Sequence, residues 1–159
     1  MIQVKNYICG QWVAGEGEEQ KIYNAITGDQ IGSVSSAGLD YEAILNYGRT
    51  VGGKQLRKMT FQERGRMLKA LALFLMERKK TYYEVSAWTG ATKVDSWIDI
   101  EGGIGNLFAN ASLRRQFPDL PYYVDGNAAP LSKNGSFIGH HIMVPKQGEI
   151  GRASCRERV

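Results

Sequence analysis

The chain has 159 residues, with 20 Lys plus Arg against 16 Asp plus Glu and a formal net charge of +4. Basic residues sit beside acidic ones, as in Glu77-Arg78-Lys79-Lys80. The charge therefore reads as solvated helix faces and argues against a nucleic-acid footprint. Cysteine is limited to Cys9 and Cys155, which excludes a disulfide framework or a cysteine zinc site and suits a reducing cytoplasm.

The start, Met1 to Asn6, lacks the charged-then-apolar pattern of a secretory leader. The longest apolar run, Ala70 to Met76, is too short to span a bilayer. A cytoplasmic protein without a membrane partner is expected.

Taken in order, residues 4–13 read as a short strand ending in Gln11-Trp12-Val13, with Cys9 a small buried hydrophobe in the run Tyr7-Ile8-Cys9. Ala14 to Glu19 is a polar turn. Strands at 21–25 and 30–33 flank the turn Thr27-Gly28-Asp29, and the region reads as a β-meander of short pieces. Asp40 is an N-cap, with Leu39 and Ile44 at the spacing of a hydrophobic staple, and Gly52-Gly53 is expected to end that helix.

Thr60-Phe61-Gln62-Glu63 is a capping box, followed by the stripe Phe61, Met67, Leu68, Leu71 and Leu75. Glu77-Arg78-Lys79 marks a break. A further helix carries Tyr82, Val85 and Trp88, and Thr89-Gly90 closes it. Thr92-Lys93-Val94-Asp95 starts a long helix with Val94, Trp97, Ile98, Ile104, Leu107, Phe108 and Ala111 on one side. The prolines of Phe117-Pro118-Asp119-Leu120-Pro121 stop it. Tyr122 to Val124 and Ser136 to Val144 are strands around the turn Lys133-Asn134-Gly135-Ser136, which predicts a hairpin.

The candidate chemistry is sparse. Gly102-Gly103-Ile104-Gly105 lacks a preceding strand and has Phe108 where a phosphate loop needs its last glycine. It reads as close helix packing. His140 and His141 are neighbours in a strand and point to opposite faces, so they do not share a metal ion. Asp95 and Asp99 share a helix face, and with Glu101 they read as capping or solvated acids. Trp88, Trp97 and Phe108 read as core. No catalytic, cofactor-binding or metal-ligating residue is assigned, and residues 1–148 read as the front of something larger.

The last eleven residues, Glu149 to Val159, can be encoded by the in-frame bases of a common short-read sequencing adapter running into a stop codon. They are expected to be a non-native tail. Without them, residues 1–148 carry 17 basic and 14 acidic residues, a net +3.

The order Gly10-Gln11-Trp12-Val13, Asn24 to Asp29, a capped helix, Glu63-Arg64 opening a leucine-rich helix, then Thr89-Gly90 resembles the N-terminus of the aldehyde dehydrogenase superfamily. Ala25 stands where that family usually has proline, and Ala91 where it has lysine. Met59 to Arg64, Thr89 to Thr92, the block Asp95 to Gly105 and Pro130-Leu131-Ser132-Lys133 resemble its phenylacetate-degradation bifunctional branch. That branch joins the dehydrogenase to a MaoC-like hot-dog hydratase.

The resemblance implies an α/β fold cut before the nucleotide-binding sheet is complete. Residues 1–148 would be part of one dehydrogenase domain, and 122–147 would be a bridging β-hairpin through which the parent forms a homo-oligomer. The parent would oxidise a CoA-thioester semialdehyde to a carboxylate with NADP or NAD, in aerobic phenylacetate degradation. A Cys nucleophile, a hydride acceptor, a Glu-activated water and an Asn-based oxyanion site would do this. The hydratase would open an oxepin-CoA ring. All of those residues would lie beyond this chain, so the chain itself is expected to be inactive and to bind no cofactor. Two other readings stay open: a semialdehyde dehydrogenase without the hydratase, and a free-standing hairpin interaction module.

Overall fold

The computed structural model describes residues 1–145. The expected adapter tail lies outside these residues, as do the last two residues of the expected 122–147 hairpin. The fold is mixed α/β, with small sheets and a helical layer.

The predicted single strand at 4–13 is three. β1 (Ile2–Val4) is followed by β2 (Asn6–Ile8) and β3 (Gln11–Val13), which pair antiparallel with Tyr7 opposite Trp12. Cys9 and Gly10 form the two-residue turn, at φ 48° and 84°. Two successive positive φ values suit the right-handed twist of a tight hairpin. This places Cys9 at the tip, exposed, and corrects its expected burial. The apolar run misled because periodicity does not register a turn that small.

β4 (Gln20–Tyr23) and β5 (Gln30–Val34) form the expected antiparallel pair. β1 then adds to β5 in parallel, with Ile2 opposite Gly32, giving the order β1-β5-β4. The strands are thus two antiparallel pairs plus one parallel pairing that no local pattern announces. Gly32 permits it: a Cβ there would lie 2.5 Å from the Ile2 carbonyl oxygen.

α1 (Tyr41–Tyr47) starts at Asp40, whose carboxylate accepts from the Ala43 N–H at 2.9 Å. Gly52-Gly53 does not end the helix. The chain passes through a π turn (Gly48–Gly52) into α2 (Gly53–Lys58), with both glycines right-handed. Glycine lowers helix stability without forbidding helical angles, and the true stop is extended Met59.

α3 (Phe61–Glu77) and α5 (Lys93–Ser112) both begin with reciprocal capping boxes, Thr60 with Glu63 and Thr92 with Asp95. α4 (Lys79–Trp88) lies between them, after a break at Arg78 and before a left-handed Gly90. A 3₁₀ turn (Leu113–Gln116) ends α5.

The apolar side chains buried among the described residues are Ala72, Ile104 and Ala111, and all lie where α3 meets α5. The expected stripes hold in part: Leu68 and Leu75 of α3, and Ile104, Leu107, Phe108 and Ala111 of α5, are buried or half-buried. On α3 the covered line is Gly65, Leu68, Ala72 and Leu75, while Met67, Leu71 and Phe74 are exposed. On α5 it runs through Ser96, Ile104 and Ala111, while Val94, Trp97 and Ile98 are exposed, Trp97 at 56%. Trp97 is thus not core here. Both helices carry apolar residues on two faces, and small residues decide which face packs, because they let the axes approach. A Cβ on Gly65 would lie 2.7 Å from Cβ of Arg114 and 2.9 Å from the Ala111 carbonyl oxygen.

The chain then runs through an aromatic ladder. Phe61 stacks on Phe117 at 4.6 Å, and Phe117 meets the edge of Tyr123 at 5.3 Å. β6 (Tyr123–Pro130) and β7 (Ile138–Met143) form the predicted hairpin, with Val124 opposite Ile142 and a bulge between Asp125 and Ala129. β6 runs longer than the sequence suggested, because the bulge at left-handed Gly126 re-aims the strand without ending it.

Candidate functional site

Asn24 organises the turn after β4. Its side-chain oxygen accepts from the Ile26 N–H at 2.9 Å and the Thr27 N–H at 3.3 Å, and its N–H donates to the Asp29 carbonyl at 2.8 Å. The next residue, Ala25, donates its N–H to the Trp88 carbonyl at 2.8 Å, docking the turn on the C-terminal end of α4. A proline at position 25 has no N–H to give. The two family-like motifs, Asn24 to Asp29 and Thr89-Gly90, therefore meet in space, and Ala25 supplies the bond between them.

Gly102, Gly103 and Gly105 lie inside α5. Among the described residues a Cβ added at any of them would meet nothing within 4 Å, so the expected close packing is not found there. They sit on open helix surface instead. These residues do not suit the phosphates of a dinucleotide. The glycines are helix interior, and the N-terminus of α5 is filled by the Asp95 carboxylate, which accepts from the Thr92 hydroxyl at 2.6 Å and N–H at 3.2 Å. The N-terminus of α3 is filled likewise by Glu63, bonded to the Thr60 N–H at 2.8 Å. A carboxylate already placed at a helix N-terminus competes with an incoming anion.

Glu101 has a specific role in joining helices. The Tyr83 hydroxyl donates to its Oε1 at 2.9 Å, and Lys79 Nζ lies 3.1 Å away. The tyrosine hydrogen bond first, and then the lysine, hold the Glu101 carboxyl below the usual range. Burial, and then Glu101 itself, push the Tyr83 hydroxyl up. Nearby, Ser86 and Ser96 share a hydrogen bond at 2.9 Å. These contacts pin α4 to α5. Asp99 lies on the exposed face of α5 and does not join Asp95 in a site.

On the hairpin, His141 Nδ1 lies 3.0 Å from Asp125 Oδ2, its cross-strand partner. His140 projects from the opposite face of β7, consistent with strand alternation. Among the described residues, no group of three His, Cys, Asp or Glu is placed to hold a metal ion. No helix among them is long and apolar enough to cross a membrane.

The structure also gathers residues that the sequence does not relate. Lys69 of α3 and Arg114 and Arg115 of the 3₁₀ turn line a concavity of ≈ 130 Å³ with Phe108, Ala111 and Ser112. Linear charge reading missed this group, since its members are isolated or flanked by ordinary residues. Larger open grooves of ≈ 260 and ≈ 390 Å³ lie beside Val34 and α1. They bring together no comparable set of like charges.

No family model matches the chain. The chain is similar to a protein named 3,4-dehydroadipyl-CoA semialdehyde dehydrogenase, from Aromatoleum evansii. The two are 31% identical over 148 residues, which cover 92% of this chain and 29% of that protein. The chain thus spans less than a third of that relative's length.

Proposed function

We propose that residues 1–148 are the N-terminal part of an NAD(P)-dependent aldehyde dehydrogenase acting on a CoA-linked semialdehyde, and that the chain alone does not catalyse the reaction. One observation carries the reading: the similarity to a dehydrogenase of that substrate class runs over 92% of this chain. The juxtaposed Asn24–Asp29 and Thr89-Gly90 turns support it. So do the uncovered apolar faces at Met67, Leu71 and Phe74 and at Val94, Trp97 and Ile98. Such faces suit a domain whose remaining layers lie further along the chain.

In the parent, a Cys nucleophile and a Glu that activates water would come from beyond this chain, and a nicotinamide cofactor would supply the hydride acceptor. The finer reading places the parent in aerobic phenylacetate degradation, in the cytoplasm, with a fused MaoC-like hydratase and a hairpin that bridges subunits. The second reading is a semialdehyde dehydrogenase parent without the hydratase.

The test is to sequence the source locus past the codon of Gly148 and express the whole frame. A downstream Cys and Glu, with NADP- or NAD-dependent oxidation of an acyl-CoA semialdehyde, is the expected result. A genomic Glu-Ile-Gly-Arg continuation followed by a natural stop would overturn the reading. A hot-dog domain after the dehydrogenase would decide for the bifunctional form. Cysteine-dependent turnover by the 159-residue chain would refute its inactivity.

A further inference from the structure

The cationic concavity at the end of α5 is not explained by helix capping alone. Cations near a helix C-terminus offset the exposed carbonyls, and Arg114 does this: its Nη1 donates to the Ala111 carbonyl at 2.9 Å. That leaves Lys69 and Arg115. Among the described residues, neither meets a carboxylate and none that is acidic lines the concavity.

Three like charges around ≈ 130 Å³ repel one another. An anion seated between them removes that repulsion and accepts their hydrogen bonds. The backbone that carries them is braced. The Gln62 side-chain amide donates to the Arg114 carbonyl at 2.6 Å and to the Phe117 carbonyl at 3.0 Å. Gly65 lets α3 approach the Ala111–Arg114 segment. Half-buried Phe108 and buried Ala111 add apolar lining, beside Ser112. Cationic groups and an aromatic ring lining one concavity suit a ligand that is anionic at one end and flat and apolar at the other.

We propose that this concavity binds the phosphomonoester end of a phosphorylated adenosine. The phosphate would lie against Lys69, Arg114 and Arg115, and the nucleoside against Phe108. The assignment of that nucleotide to the CoA part of the substrate rests on the proposed function. The same chemistry occurs in the 2′-phosphate of NADP, and the test separates the two.

The full chain is dialysed to equilibrium against labelled adenosine 3′,5′-bisphosphate, adenosine 2′,5′-bisphosphate or adenosine, at low and at raised salt. Bound ligand is counted whatever the chain's association state. The 3′,5′-bisphosphate should bind about tenfold or more above adenosine, the scale of a charge-assisted contact or two. The preference should fall with salt and vanish in Lys69→Ala/Arg115→Ala, which keeps the Arg114 cap. Lys69→Glu should abolish it too, with far-UV circular dichroism unchanged in both variants. Equal binding of adenosine and the bisphosphates, or a preference that survives both variants, would overturn the proposal. Tighter binding of the 2′,5′ isomer would overturn the CoA assignment and give the site to NADP. Failure here with an active parent dehydrogenase would leave the proposed function standing. A positive result with an inactive parent would leave the site standing.

Discussion

The α3–α5 pair and the β6–β7 arm solve the problem of holding two segments together in opposite ways. Along α3 and α5, side chains do the work. Small residues bring the helices close, and Ala72, Ile104 and Ala111 are buried between them. In the arm, the backbone ladder does it. Phe137, Ile138, Ile142 and Val144 are all exposed, Phe137 at 64%, and the arm joins the helices through the Phe61–Phe117–Tyr123 ladder. An isolated two-stranded hairpin is marginal in water. The difference teaches where substitutions should be felt: in the helical seam, and hardly at all in the arm.

The sharpest way to break the contrast is Ile104→Ala. It empties the centre of a small seam and should cost about 2–5 kcal/mol. The measure is loss of amide-exchange protection in α3 and α5, with β6 and β7 unchanged. Equal loss in the arm would show that the two regions form one cooperative unit.

Gly65→Ala should come next. Its Cβ would press on the Arg114 side chain and on the Ala111 carbonyl, and backbone cannot swing aside as a long side chain can. Overpacking of this kind costs about 1–3 kcal/mol. An increase in α3 protection, the usual benefit of replacing a helix glycine by alanine, would show that the seam is looser than described.

A pH titration sharpens the contrast from another side. Glu101 is held below the usual carboxyl range by Tyr83 and then Lys79. Its contribution is therefore full above the ordinary glutamate pKa and lost as pH falls through the lower folded value. Protection at the α4–α5 contact should fall over that acid window. Glu101→Gln should flatten the dependence, and an unchanged profile in the variant would sink the assignment. The smallest effect is expected from Phe137→Ser in the arm, within about 0.5 kcal/mol. A large loss of protection there would reveal packing on the arm beyond that seen among the described residues.

Much of the local architecture was legible beforehand. Asp40, and Thr60 with Glu63, cap the helices they were expected to cap, and Thr92 to Asp95 starts the long helix placed there. Gly28, Gly90 and Gly135 take the left-handed angles of their turns. The hairpin lies where Asn134-Gly135 placed it. Each of these depends on hydrogen bonds or angles within a few residues, so the sequence by itself determined them.

What the tertiary structure alone decided is which surfaces meet. α3 and α5 each offer two apolar faces, and periodicity cannot say which finds a partner. That choice fell to Gly65 and Ala72, where the axes can approach. The parallel pairing of β1 with β5, the bond from Ala25 to Trp88 and the gathering of Lys69 with Arg114 and Arg115 are of the same kind. Burial and charge proximity belong to pairs of segments distant in the chain, and a local pattern carries no information about its distant partner.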